Sequence, residues 1–176
     1  WMGASEGGLN WDGTKITEST WAVGGYNYAL NYGAPSGGVM SVNFSVAIRN
    51  IDDGASNTIM IDEIRVGTAA QDIRGTWAMG QCGASILAAS GRGDSPGVNI
   101  SHSGYDDIWG AVDDPARGMG ACAGCGSWQV TMKSLHPGGA HACFGDGSVK
   151  FVSNSTTQLV YQLIHCRNDG QPANVN

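Results

Sequence analysis

The stretch 134–152, SLHPGGAHACFGDGSVKFV, places His136 ten positions ahead of Asp146-Gly147. A histidine and a carboxylate can form an acid–base pair or two metal ligands when the fold brings them together. The local pattern argues that it does not. Apolar residues alternate on both sides of Asp146-Gly147, and Asp-Gly is a two-residue hairpin signal because both positions take positive φ cheaply. Asp146 then sits at the turn tip, while His136 precedes the first strand across Pro137-Gly138-Gly139. Five paired residues span roughly 15 Å along a strand, so the two side chains are expected at opposite ends of it. The pair reads as punctuation of the fold.

The other reactive residues give weaker patterns. His102, His141 and His165 show no HExxH or His/carboxylate spacing, so a zinc site is not expected. Cys122 and Cys125 form a CxxC with no second CxxC, no following histidine and no βαβ context, which excludes zinc, haem attachment and redox readings. A disulfide from Cys122 or Cys125 to Cys82, stapling the loop between them, is favoured. Cys143 and Cys166 are a second candidate pair. Asp106, Asp107, Asp113 and Asp114 lie in the glycine-rich run GYDDIWGAVDDPARG, an oxygen-rich loop of the type that can hold calcium, although EF-hand spacing is absent. Trp109 and Trp128 in the same region are candidates for contacting a sugar or another protein surface. No nucleophile–base spacing and no G-x-S-x-G elbow occur, so an enzyme is not expected. Arg92-Gly93-Asp94 is too short a match to carry a function.

Composition narrows the class. The chain has 176 residues, 28 of them glycine, with only 9 Lys+Arg against 15 Asp+Glu and a net charge of −6. Such a balance argues against nucleic acid and anionic membranes, which reward clustered cations. The low charge and five cysteines favour an exported protein, extracellular, at the cell surface or periplasmic. The sequence begins at Trp1 with no signal peptide and no transmembrane run, which reads as a processed or truncated front.

The elements that must position these residues are short. Residues 1–20 hold no period and form an irregular lead-in; 21–176 read as one globular domain with a long loop at 81–131. Tyr26 and Tyr28 suit one face of a strand, and 37–51 alternates as a strand or hairpin arm. Asp52-Asp53-Gly54 marks a turn before a strand predicted from Thr58 to Arg65, and GTWAMG (75–80) is a further strand candidate. In the terminal hairpin a turn closed on Asp146-Gly147 sets Phe144 opposite Val149 and Ala142 opposite Phe151. Those four share an apolar face, and Cys143 and Lys150 take the other. Ser155 to Gln158 has capping-box spacing, with Leu159, Val160, Leu163 and Ile164 as the helical stripe and an end near Arg167 to Gly170. The fold class is α+β: an antiparallel sheet with a C-terminal hairpin and helix.

Two blocks carry a family resemblance. His136, Pro137, Gly138 and Gly139 followed by Asp146-Gly147 resemble the prepilin-type H-X9-DG family of planctomycete bacteria. The stretch IRNIDDGASNTIMIDE resembles that family's D-G-x-S-N-T-I segment through Asp53, Gly54, Ser56, Asn57, Thr58 and Glu63. The resemblance implies an exported, pilin-like globular domain that here lacks its N-terminal hydrophobic helix. It implies a non-catalytic subunit of a pseudopilin-like filament or surface assembly, with itself or other pilin-like subunits as partners and membrane contact only through the missing helix. It also lends some support to calcium in the loop. The alternative is an extracellular binding module recognising glycan or a surface protein through the Trp- and Asp-containing loop. No other cofactor is expected.

Overall fold

The computed structural model describes residues 38–41, 44–79, 84, 97–108, 110–122, 130–168 and 170–175. The lead-in, the tyrosine strand, Arg92-Gly93-Asp94, Cys82, Cys125, Trp109 and Trp128 lie outside them. Strands β1 (Met40–Ser41) and β2 (Phe44–Ser45) pair as a small antiparallel ribbon. Strands β3 (Ile59–Asp62), β4 (Gly139–Phe144) and β5 (Val149–Ser153) form an antiparallel sheet in the order β3-β4-β5. A short helix, α1 (Gln158–Leu163), follows. Among the described residues the architecture is thus a three-stranded antiparallel sheet with little helix.

The hairpin forms where the alternation places it, but its register is one residue away from expectation. Cys143 pairs Val149, Ala142 pairs Lys150, His141 pairs Phe151 and Ala140 pairs Val152. The reason is the loop. The amide of Gly147 donates to the Phe144 carbonyl at 2.9 Å and the amide of Phe144 donates to Ser148 at 2.9 Å. With Gly147 at φ +84°, this is a three-residue connection, a turn followed by a left-handed residue, rather than a two-residue one. One residue of slip exchanges the faces of the returning strand. Ala140, Ala142, Phe144 and Val152 therefore face the core, while Val149 and Phe151 face outward, 65% and 40% exposed.

The core packs Ile59, Met132, Phe144, Val152, Tyr161 and Ile164 against the inner sheet face. Full burial of side chains of this size stabilises by about 1.5–3 kcal/mol each. Helix α1 contributes through Tyr161 and Ile164, whereas Leu159 is exposed. Its N-cap is Thr157, whose hydroxyl accepts from the Val160 amide at 3.4 Å. The expected cap, Ser155, is instead bonded to Ser153 through both its amide and its hydroxyl. The helix also ends earlier than expected, because the chain turns at 164–166 to aim His165 inward and Arg167 back toward Asp53.

Strand β3 is shorter than the predicted Thr58–Arg65. A register shift between Ile59 and Ile61 inserts one extra residue opposite β4. Such a bulge re-aims the side chains after it: Ile59 and Asp62 both turn inward and Ile61 outward. Residues 75–79 are a pair of turns rather than a strand, closed by Thr76 to Ile73 and Met79 to Thr76, both at 3.1 Å. Gly75 at φ +72° interrupts the extended backbone there.

Candidate functional site

The motif at 53–58 is a structural clasp. The Asp53 amide donates to the Arg167 carbonyl at 3.0 Å, and its carboxylate accepts from the Gly170 amide at 2.9 Å. Asn57 donates back to the Asp53 carbonyl, and the Thr58 hydroxyl bonds Gly54 and Cys166 carbonyls. On its other side the turn reaches the hairpin tip: Gly145 and Asp146 amides donate to Thr58 and Ala55, and Lys150 donates to the Ser56 carbonyl at 2.6 Å. The segment joins the C-terminal tail to the hairpin.

Asp146 serves the turn itself. Its carboxylate accepts from the Ser148 hydroxyl at 2.7 Å and amide at 2.9 Å, and these bonds hold it below the usual carboxylate range. His136 lies before β4 and Asp146 after it. Between them, Pro137 and Gly138 form an exposed turn, and Gly139 enters the sheet so close to β5 that a Cβ there would run into the Val152 carbonyl oxygen.

His136 meets a different carboxylate. Glu63 Oε1 is 3.3 Å from His136 Nε2 and 3.8 Å from His141 Nδ1. One atom from each of the three residues lies within 4.8 Å of the others. The sheet supplies two of them. Glu63 follows β3 and pairs with His141 on β4, its amide donating to the His141 carbonyl at 3.3 Å. The His141 amide donates to Glu63 Oε2 at 2.9 Å, which leaves Oε1 facing the imidazoles. The rings of His136 and His141 meet edge to face at 4.7 Å, and His141 rests on Phe151 at 5.1 Å. Burial pushes the Glu63 carboxyl up, but the His141 amide, the Ser134 hydroxyl and the two imidazoles outweigh it, so its pKa is lowered. Beside it a groove of about 730 Å³ opens between residues 61–66 and 133–136. Two imidazole nitrogens and a carboxylate oxygen at this spacing are a donor set for a divalent metal. No HExxH-type spacing marks it because Glu63 comes from a distant segment and the two histidines sit one in a turn and one on the strand after it.

The four aspartates expected as calcium candidates do not converge. Asp106 is fully buried and bonds Arg74 Nη1 at 2.8 Å and Lys133 Nζ at 2.8 Å. Asp113 accepts from the Ser103 hydroxyl and the Ala121 amide, Asp114 pairs with Arg117, and Asp107 is buried. Protein donors already occupy the carboxylates of Asp106, Asp113 and Asp114.

Sequence reasoning missed the residue that organises this loop. Arg74 is fully buried; it pairs with Asp72 at 2.6 Å and donates to the carbonyls of Val112, Met119 and Gly120. Burial disfavours its charge, yet Asp72 and Asp106 outweigh that and its pKa is raised. For Lys133 burial dominates and lowers the pKa despite Asp106. Two cations and two carboxylates balance in a polar cluster beneath a small apolar one of Ile108, Ala111, Ala121 and Ile73. A second buried pair, Asp62 and His165, was equally unmarked.

Cys143 and Cys166 are not bonded to each other, so the pairing of those two expected from sequence is not made. Cys143 points outward from the middle strand while Cys166 is buried beyond the helix end. Cys122 is half-buried, its amide donating to the Asp106 carbonyl at 2.8 Å.

The chain belongs to the family described as "Protein of unknown function (DUF1559)", whose family model matches residues 4–159. No curated protein and no solved structure matches the chain. Among the described residues, no helix is long and apolar enough to cross a membrane.

Proposed function

We propose that this chain is a non-catalytic structural subunit of an exported, pilin- or pseudopilin-like assembly of the H-X9-DG type. The observation that carries the reading is the outer face of the sheet. Ile61, Cys143 and Val149 form one row across all three strands, and Phe151 lies beside them. Ile61, Val149 and Phe151 all remain exposed. A contiguous apolar face of this kind is what a subunit buries against a neighbour.

Other features support the reading. The residues of both family-like blocks, Glu63 and His136 apart, build turns and a clasp, as a scaffold requires. Five cysteines in a chain of low charge fit an oxidising compartment. A second reading, an extracellular binding module, draws on the open groove beside Glu63 and His136.

The experiment is to take the protein from its native source, determine its N-terminus by intact mass and sequencing, and image the same fraction by electron microscopy. An apolar segment ahead of Trp1 together with filaments is expected. Monomers throughout, with no such segment, would overturn the subunit reading and favour the binding module.

A further inference from the structure

We propose that Glu63, His136 and His141 hold a divalent transition-metal ion of the zinc, nickel or copper class through Oε1, Nε2 and Nδ1 respectively. The donor chemistry selects the class. Imidazoles suit these metals, whereas calcium demands six to eight oxygens and finds one carboxylate here. The spacing is compatible. Zinc bound at about 2.0–2.2 Å in tetrahedral geometry sets its ligand atoms roughly 3.4 Å apart. The two carboxylate–imidazole distances, 3.3 and 3.8 Å, already bracket that value. The third separation is at most 4.8 Å and closes by rotation of imidazole rings that are about half exposed.

The surroundings orient the carboxylate before any ion arrives and anchor the backbone that carries one imidazole. The His141 amide fixes Glu63 through Oε2, so that Oε1 points at both rings. The His136 amide is anchored on the Ser134 hydroxyl at 3.1 Å, and Phe151 backs the His141 ring. The other histidines do not compete: His165 is buried on Asp62, and His102 is exposed and meets Tyr105 edge to face. Three protein ligands leave a further position open, on a site that borders the groove.

The test uses the untagged, chelator-treated chain in equilibrium dialysis against Zn²⁺, with metal counted by mass spectrometry and thermal melts run with and without Zn²⁺. About one equivalent per chain and a raised Tm are expected, since a ligand that binds the folded state stabilises it. His136→Ala, at an exposed turn, and Glu63→Gln should each weaken binding about tenfold or more. His102→Ala and Cys143→Ser should leave it unchanged. Circular dichroism checks each fold, and His136→Gln replaces His136→Ala if that variant is not folded. Absence of saturable binding by the wild-type chain, or unaltered affinity in the folded His136 variant, would overturn the assignment.

Discussion

His165 Nε2 lies 2.8 Å from Asp62 Oδ2, two buried groups 103 positions apart in the chain. The other ring nitrogen, Nδ1, is 2.6 Å from the Tyr161 carbonyl, which can only accept, so it carries a proton. Facing a carboxylate on one side and a carbonyl on the other, the ring favours the imidazolium. Burial pushes its pKa down, but Asp62 and the Tyr161 carbonyl outweigh burial and the pKa is raised. A raised folded-state pKa gives stability that is fully present below the unfolded histidine value of about 6.5 and lost as pH climbs through the folded one. The urea midpoint should therefore fall as pH rises from about 6. Asp62→Asn should cost about 3–5 kcal/mol near pH 6 by stranding the buried cation, and should flatten that fall. A wild-type midpoint that holds steady or climbs with pH would refute the pairing.

Arg74 spans Asp72 and Asp106 while reaching three carbonyls of the 112–120 segment. Lysine keeps the charge but not the planar fork, and cannot serve all of these acceptors. Arg74→Lys should lose about 3–5 kcal/mol in urea unfolding, the scale of a broken buried ion pair. Hydrogen exchange at 106–121 should rise more than in the sheet. Unchanged exchange in that segment would show that Arg74 does not hold it.

Gly147 stands at φ +84° with nothing near enough to block a Cβ, so the demand is on its backbone alone. Gly147→Val should cost about 1–3 kcal/mol, and Gly147→Asn clearly less, because asparagine tolerates the left-handed region. Thermal melts of the two variants test this. Equal losses would argue against the left-handed backbone at Gly147.

That register marks where sequence reading stopped. The hairpin was legible because alternation on both sides of Asp146-Gly147 leaves few other solutions. Its faces were not, because a two- and a three-residue loop share the same residues and differ in the conformation of Asp146, which a two-residue turn would hold at positive φ and this loop does not. The same holds for β3. The run TIMIDEI reveals a strand, but the bulge between Ile59 and Ile61 is what turns Asp62 inward to His165. Glu63, His136 and His141 were invisible to a search for fixed spacings, although Glu63 and His136 each fell within a family-like block. Arg74 and Asp72, two positions apart in QDIRGTW, carry no pattern that announces burial. In the aspartate-rich loop the sequence shows the carboxylates but not the protein donors that Asp106, Asp113 and Asp114 meet.

The central claim is that the outer sheet face is a subunit contact, and the row through Cys143 tests it most directly. Val149→Asp and Val149→Lys place opposite charges at the most exposed apolar position of that face, away from the core, and should leave the thermal melt close to that of the wild type. Assembly of the full-length wild-type and variant proteins can be compared by electron microscopy and light scattering under the same conditions. The account predicts ordered assemblies from the wild type and their loss in both variants. Assemblies of undiminished yield from folded variants would contradict it.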